Sequence, residues 1–201
     1  MNRRRILVVI ALVALVTGTA ALVHAQNEVP KSPPGAGAEA SKPDRTASGQ
    51  TPEVLYDFNA LPGPVKRMLQ QIAEAAQSGE IETLRPVFES NELKPMVAAA
   101  YVDDPIAYWK KQSADGTGRD VLAALLNVMS AGYVRVGKGQ DQMYVWPYFA
   151  ETDLGRLTPA QDVELYRLVA PPLALPMKKD GKYSYYRLGI SPTGVWHYFI
   201  Q

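Results

Sequence analysis

Two carboxylates stand side by side at Asp103-Asp104, flanked by Tyr101 and Tyr108. A like charge next door raises the pKa of one partner, as general acid–base chemistry requires. His197 is the other titratable candidate, with an ordinary pKa near neutrality; it is the one histidine left once residues 1–25 are removed. Asp103, Asp104 and His197 are therefore the catalytic candidates. Each also has a plainer reading. Asp104 precedes Pro105 and suits the cap of a helix with proline in its first turn. A lone histidine on an aromatic strand is usually packed. No Gly-x-Ser-x-Gly or other nucleophile motif accompanies them, so the sequence leaves open whether the chain is an enzyme.

Rings dominate two later segments. Tyr144, Trp146 and Tyr148 alternate with Met143, Val145 and Phe149, and Trp196 and Tyr198 alternate with Val195, His197 and Phe199. Successive strand residues point to opposite faces, so both faces carry large side chains. Tyr and Trp combine an apolar body with a polar handle, which suits a contact surface. Tyr144, Trp146, Tyr148, Trp196 and Tyr198 are the binding candidates, and burial on both sides is the competing reading.

Other constellations are weaker. One histidine cannot build a His-rich zinc site, and Glu151 with Asp153 lacks an oxygen-rich loop pattern. Gly116-x-Gly118 and Gly137-x-Gly139 lack the strand–loop–helix setting of a nucleotide loop. No metal or other cofactor is expected. Lys178, Lys179, Lys182 and Arg187 form a basic cluster that reads as a solvated face, with anionic lipid or cell-wall polymer as the alternative.

The elements that position these residues follow an N-terminal address. Residues 1–5 are basic, Ile6–Val16 is an unbroken apolar run, and Val23-His24-Ala25 has the shape of a signal-peptidase site. Residues 1–25 read as a secretory signal and place the protein in the periplasm or outside the cell. The alternative is an inner-membrane anchor through residues 6–23, near the lower length limit for a span, which Thr17-Gly18-Thr19 interrupts. Residues 26–52 are rich in Pro, Ala, Gly and Ser, hold no aromatic residue, and read as a disordered linker. Residues 53–201 form one domain.

Composition narrows the function classes. The chain is 47% hydrophobic and 20% charged, an ordinary globular balance. Removing Arg3, Arg4 and Arg5 leaves 18 Lys+Arg against 20 Asp+Glu, or about −2. That balance argues against nucleic acid, which favours a basic excess. The absence of cysteine excludes disulfides, a Cys nucleophile and lipoprotein attachment.

Within the domain, Leu61-Pro62-Gly63-Pro64 opens a helix whose apolar stripe runs Val65, Met68, Leu69, Ile72, Ala73 and Ala76, stopped at Gly79. Short helices are expected over residues 81–88, 91–100 and 106–111, and another around Val121–Met129. Residues 133–136 and 142–149 read as a hairpin, with Pro147 demanding an edge or a bulge. Thr158-Pro159-Ala160-Gln161 is a capping box for a helix to about Val169. Pro171, Pro172 and Pro176 imply an extended loop over 171–182. Residues 183–190 and 195–200 form a last hairpin around Ser191-Pro192-Thr193-Gly194. Helices grouped apart from hairpins give an α+β fold: N-terminal helices on one face of a curved, mainly antiparallel sheet of about four strands.

Residues 133–161 (YVRVGKGQDQMYVWPYFAETDLGRLTPAQ) and 185–200 (YYRLGISPTGVWHYFI) resemble an uncharacterised group of exported bacterial proteins. That likeness covers about half the domain and supplies no functional residues. AEAAQSGEIETLRPVF and GRDVLAALLNVM, followed by antiparallel strands, are similar in rhythm to NTF2-like domains, which host small-molecule pockets or association surfaces. The helix near 159–169 departs from that plan.

The expected function is that of a non-catalytic envelope module binding a ligand or partner through the aromatic sheet face. The partner is unknown, with an envelope protein or a small molecule as the candidates and a membrane only if the signal is uncleaved. The alternative is a small hydrolase- or isomerase-like enzyme with a pocket between sheet and helices.

Overall fold

A computed structural model describes residues 52–201; the expected signal and nearly all of the expected linker lie outside the described residues. Helix α1 (Gly63–Gln77) begins with proline in its first turn and buries Val65, Met68, Leu69, Ile72, Ala75 and Ala76 on one stripe. The backbone turns left-handed at Gly79 just beyond it. A tight single turn, Ile81–Leu84, leads into α2 (Arg85–Ser90). Helix α3 (Pro105–Gln112) is capped by Asp104, whose side chain accepts from the Ile106 and Ala107 amides. Helix α4 (Arg119–Met129) buries Val121, Leu122, Ala124, Leu125, Val128 and Met129.

Four antiparallel strands follow: β1 (Val134–Val136), β2 (Met143–Trp146), β3 (Arg187–Ile190) and β4 (Trp196–Ile200), paired in that order into an open sheet. The register sets Trp146 beside Leu188 and Phe199 on one face, and Val145 beside Gly189 and Tyr198 on the other. Between β2 and β3 the chain forms α5 (Pro159–Leu168) and α6 (Pro171–Asp180). The Thr158–Gln161 capping box is formed as expected. So is the turn at residues 191–194, where the Gly194 amide donates to the Ser191 carbonyl at 2.9 Å.

Both faces of the sheet carry a core, the second only over β1 and β2. On the first, Tyr133, Tyr144, Trp146, Leu188, Ile190, Trp196 and Phe199 join one core with α1, α3 and α4. On the second, Val134 and Val145 join a smaller core with Tyr148, Phe149, Leu165, Val169, Ala174, Met177 and Tyr183. Each such fully buried side chain stabilises the fold by about 1.5–3 kcal/mol relative to its exposed state.

Single backbone pairings close both sheet edges. Leu55 and Tyr133 exchange two 2.8 Å hydrogen bonds beside β1. Beside β4, the Met96 amide donates to the His197 carbonyl and the Phe199 amide to the Met96 carbonyl, both at 2.9 Å. Strand edges left open would invite pairing with other chains.

Three local expectations are corrected. Residues 91–100 are not helical. Instead, the Asn91 side chain donates to the Trp196 carbonyl and accepts from the Trp196 amide at 2.8 and 2.9 Å, and Met96 bonds to β4. Tertiary bonds to a strand edge replace the helical ladder there. Residues 171–182 are largely helix rather than extended loop, because Pro171 and Pro172 occupy the first turn, where no helical donor is needed. Only Pro176 lies inside, removing the donor to the Pro172 carbonyl, while Ala174 and Met177 anchor the helix in the second core. Finally, β2 stops at Trp146 and Tyr148 belongs to a single turn, Tyr148–Glu151. Pro147 sits next to an interior strand, just past its last paired residue, where its missing N–H costs no ladder bond.

Candidate functional site

The rings singled out from the sequence divide sharply. Trp146, Tyr148 and Trp196 are fully buried and Tyr144 nearly so. Trp196 packs between Phe88 and Trp109, with ring centroids at 5.0 and 6.4 Å, and its indole N–H donates to the Tyr198 carbonyl at 3.1 Å. Tyr133 lies between Tyr144 and Trp146. Trp109, Trp146, Trp196 and Phe199 thus fill the space between sheet and helices. The indole N–H groups of Trp109 and Trp146 are buried there without a partner among the described residues. Such an orphan donor costs about 1–3 kcal/mol, which the packing of the rings must offset.

Tyr198 alone among the five is partly exposed. It sits on the second face, in a row that runs from Val145 through Gly189 to Tyr198 and on to Met96. Its ring lies against the Gly189 Cα, where a Cβ would collide with it. Exposure rises along that row, from the buried Val145 to Met96 at 53%. Helices α5 and α6 cover the β1–β2 half and leave the β4 margin open. The segment alongside adds Leu93 at 53% and Tyr101 at 81% exposure. Lys94 organises it: its ammonium donates to the Asp103 carbonyl at 2.6 Å and stands 5.8 Å from the Tyr101 ring centre.

Each catalytic candidate has its own local partners. Asp104 is the α3 cap and lies 3.6 Å from Arg85; the amide bonds, with the nearby guanidinium, hold its carboxyl below the usual range. Asp103 points into solvent, 94% exposed, 3.5 Å from Lys94. His197 is half-buried on β4, and desolvation lowers its pKa while Glu92 opposes the shift. Among the described residues no hydrogen bond or ion pair joins His197 to either aspartate. Asp153 caps the turn Leu154–Arg156, accepting from the Gly155 amide at 2.9 Å. Among the described residues no group of three or more His, Asp or Glu side chains is placed to hold a metal.

A carboxylate missed by sequence reasoning joins three segments on the second face. Glu164, on α5, accepts from the Tyr56 hydroxyl at 2.9 Å, the Tyr148 hydroxyl at 3.1 Å and the Gly132 amide at 3.1 Å. Burial drives the Tyr148 hydroxyl's pKa far up, with the Glu164 charge adding to it. Both tyrosines are therefore held as neutral donors, and the arrangement is a structural tie. It fastens residues 54–57, the α4–β1 corner and α5 together. Gly132 is part of it for steric reasons, since a Cβ would lie 2.8 Å from the Tyr56 ring and 3.0 Å from Val54. No local spacing announces Glu164, because its partners come from three distant segments.

Two shallow grooves mark the helical layer. One, of about 380 Å³, is lined by Phe58, Leu69, Ala73, Leu126 and Met129 with Lys66 at its rim. The other, of about 500 Å³, lies between α1 and α2, where Gln71, Glu74, Ser78 and Thr83 mix with Ala75, Pro86 and Val87. None of Asp103, Asp104 and His197 lines either. Among the described residues no helix is long and apolar enough to cross a membrane. No family model matches the chain, and no curated protein or solved structure matches it either.

Proposed function

We propose that this chain is an exported envelope protein whose folded unit binds a partner without catalysis, through the margin of the sheet at β4. The basic and apolar N-terminus with its Ala25 site supports export. The observation that carries the binding reading is the run of exposed Leu93, Met96 and Tyr101, in which Met96 is paired with the part-exposed Tyr198. Clustered exposed apolar side chains of this kind mark contact surfaces more often than scattered ones. The separate local partners of Asp103, Asp104 and His197 favour binding over acid–base chemistry, which needs its groups aimed at one reacting atom. The NTF2-like likeness fits the same reading, since that architecture also serves as an association surface. A surface lined by Tyr, Met and Leu suits another envelope protein better than a small polar ligand.

A photo-reactive amino acid placed at Tyr101, Met96 or Lys138 in the exporting cell tests this. A discrete adduct at the first two positions, absent at Lys138 and lost with Leu93→Ser, is the expected result. Adducts of equal strength at all three positions, or none at Tyr101, would refute the surface. N-terminal sequencing of the purified chain checks the address, with Gln26 expected as the first residue.

A further inference from the structure

We infer that α6 and the lysines at its C-terminal end form a contact surface for an anionic lipid bilayer, independently of the β4 margin. Three observations meet on this helix. Leu173 and Leu175 are each 56% exposed, and Pro171, Pro172 and Pro176 are exposed beside them, so its outer side is apolar through its first turn and a half. The helix then ends in Lys178 and Lys179, followed by Lys182. Lys178 is held by an ion pair with Asp162 and stands over the Tyr166 ring, while Lys179 and Lys182 are exposed to solvent.

Charge separates this region from the rest of the protein. Residues 162–187 carry Arg167, Lys178, Lys179, Lys182 and Arg187 against Asp162, Glu164 and Asp180, a local +2 even with the ion-paired Asp162 counted. The chain after residue 25 has 18 Lys+Arg against 20 Asp+Glu, so the remainder is near −4. An anionic surface therefore orients the molecule with α6 towards it. Charge alone would also suit an anionic polymer. The exposed leucines and prolines decide between them, because only a bilayer offers an apolar layer directly beneath its charged headgroups. Pro176 fits a shallow seat: the Pro172 carbonyl, deprived of its helical donor, finds hydrated headgroups at interfacial depth and nothing in hydrocarbon.

The chain has no cysteine, so a single labelled position reports without ambiguity. Full-length protein carrying Leu175→Cys with an environment-sensitive fluorophore would be mixed with vesicles of phosphatidylglycerol and phosphatidylcholine. Glu89→Cys on α2 is the control, and its spectrum should not move. A blue shift at 175 is expected with anionic vesicles and not with pure phosphatidylcholine. Lys179→Gln with Lys182→Gln should raise the lipid concentration at half-shift about thirty-fold. Leu173→Ser should raise it about ten-fold. The shift reads local seating and is separate from any insertion of residues 6–23. Absence of the shift, an equal shift at Glu89→Cys, or insensitivity to Leu173→Ser overturns the inference. Salt-sensitive vesicle binding with no shift at 175 would mean a purely electrostatic contact and also overturns it. A shift without vesicles that grows with protein concentration would assign the surface to self-association instead.

Discussion

The two faces of the sheet are closed by different means. The first face meets α1, α3 and α4, its rings packing on the aliphatic side chains of α1 and α4 and on the Trp109 ring of α3. The second face meets α5, α6 and the turn at Tyr148–Glu151, with Val54, Leu154 and Tyr183 beside them, which cover β1 and β2 and leave β4 open. Two residues of one strand, set on opposite faces by the register shift between Gly189 and Ile190, show the consequence: Trp196 is fully buried, while Tyr198 meets solvent. An aromatic strand is therefore no single surface. What a ring does depends on which layer lies over it.

The sharpest way to break that contrast is to truncate both rings. Trp196→Ala should cost about 3–5 kcal/mol, read as a fall in the urea midpoint at constant slope. Tyr198→Ala, two residues on, should cost about 1 kcal/mol. Equal losses would mean that both faces are core. Next in size is the tie that holds the second layer. Glu164→Ala leaves the Tyr148 hydroxyl and the Gly132 amide without an acceptor and should cost about 2 kcal/mol, with Glu164→Gln milder because the amide oxygen still accepts. Amide exchange should quicken first in α5 and at Leu55.

Gly132→Ala tests the same tie sterically. The new methyl must displace Tyr56 and Val54, and a loss of about 1 kcal/mol is expected in the same unfolding assay. The smallest effect is one of pH. Burial lowers the folded-state pKa of His197 below its ordinary value of 6.5, so the folded chain takes up that proton less readily than the unfolded one. Its contribution is complete above pH 6.5 and is lost as pH falls through the folded value. A urea midpoint that declines slightly from pH 7.5 to 5.5, and stays flatter in His197→Gln, is the expected result.

Local chemistry was legible wherever one segment carried its own instructions. The Asp104 cap, the Thr158–Gln161 capping box, the stripe of α1 and the turn before Gly194 all depend on neighbours in the chain, and all form. Reading failed where the partner was remote. Residues 91–100 carry helical spacing, yet Asn91 and Met96 take their bonds from β4, about 100 residues on. The prolines of 171–176 read as breakers in isolation, yet two of them fall in a first turn and the buried Ala174 and Met177 hold the rest. Glu164 was invisible for the same reason.

By itself the sequence determined the α+β class, the order of most elements and their caps, because periodicity and capping act over a few residues. Tertiary structure decided which rings are core, which carboxylate is a tie and which face stays open. Those depend on segments far apart in the chain meeting in space, where burial, and not residue type, sets the role of each side chain.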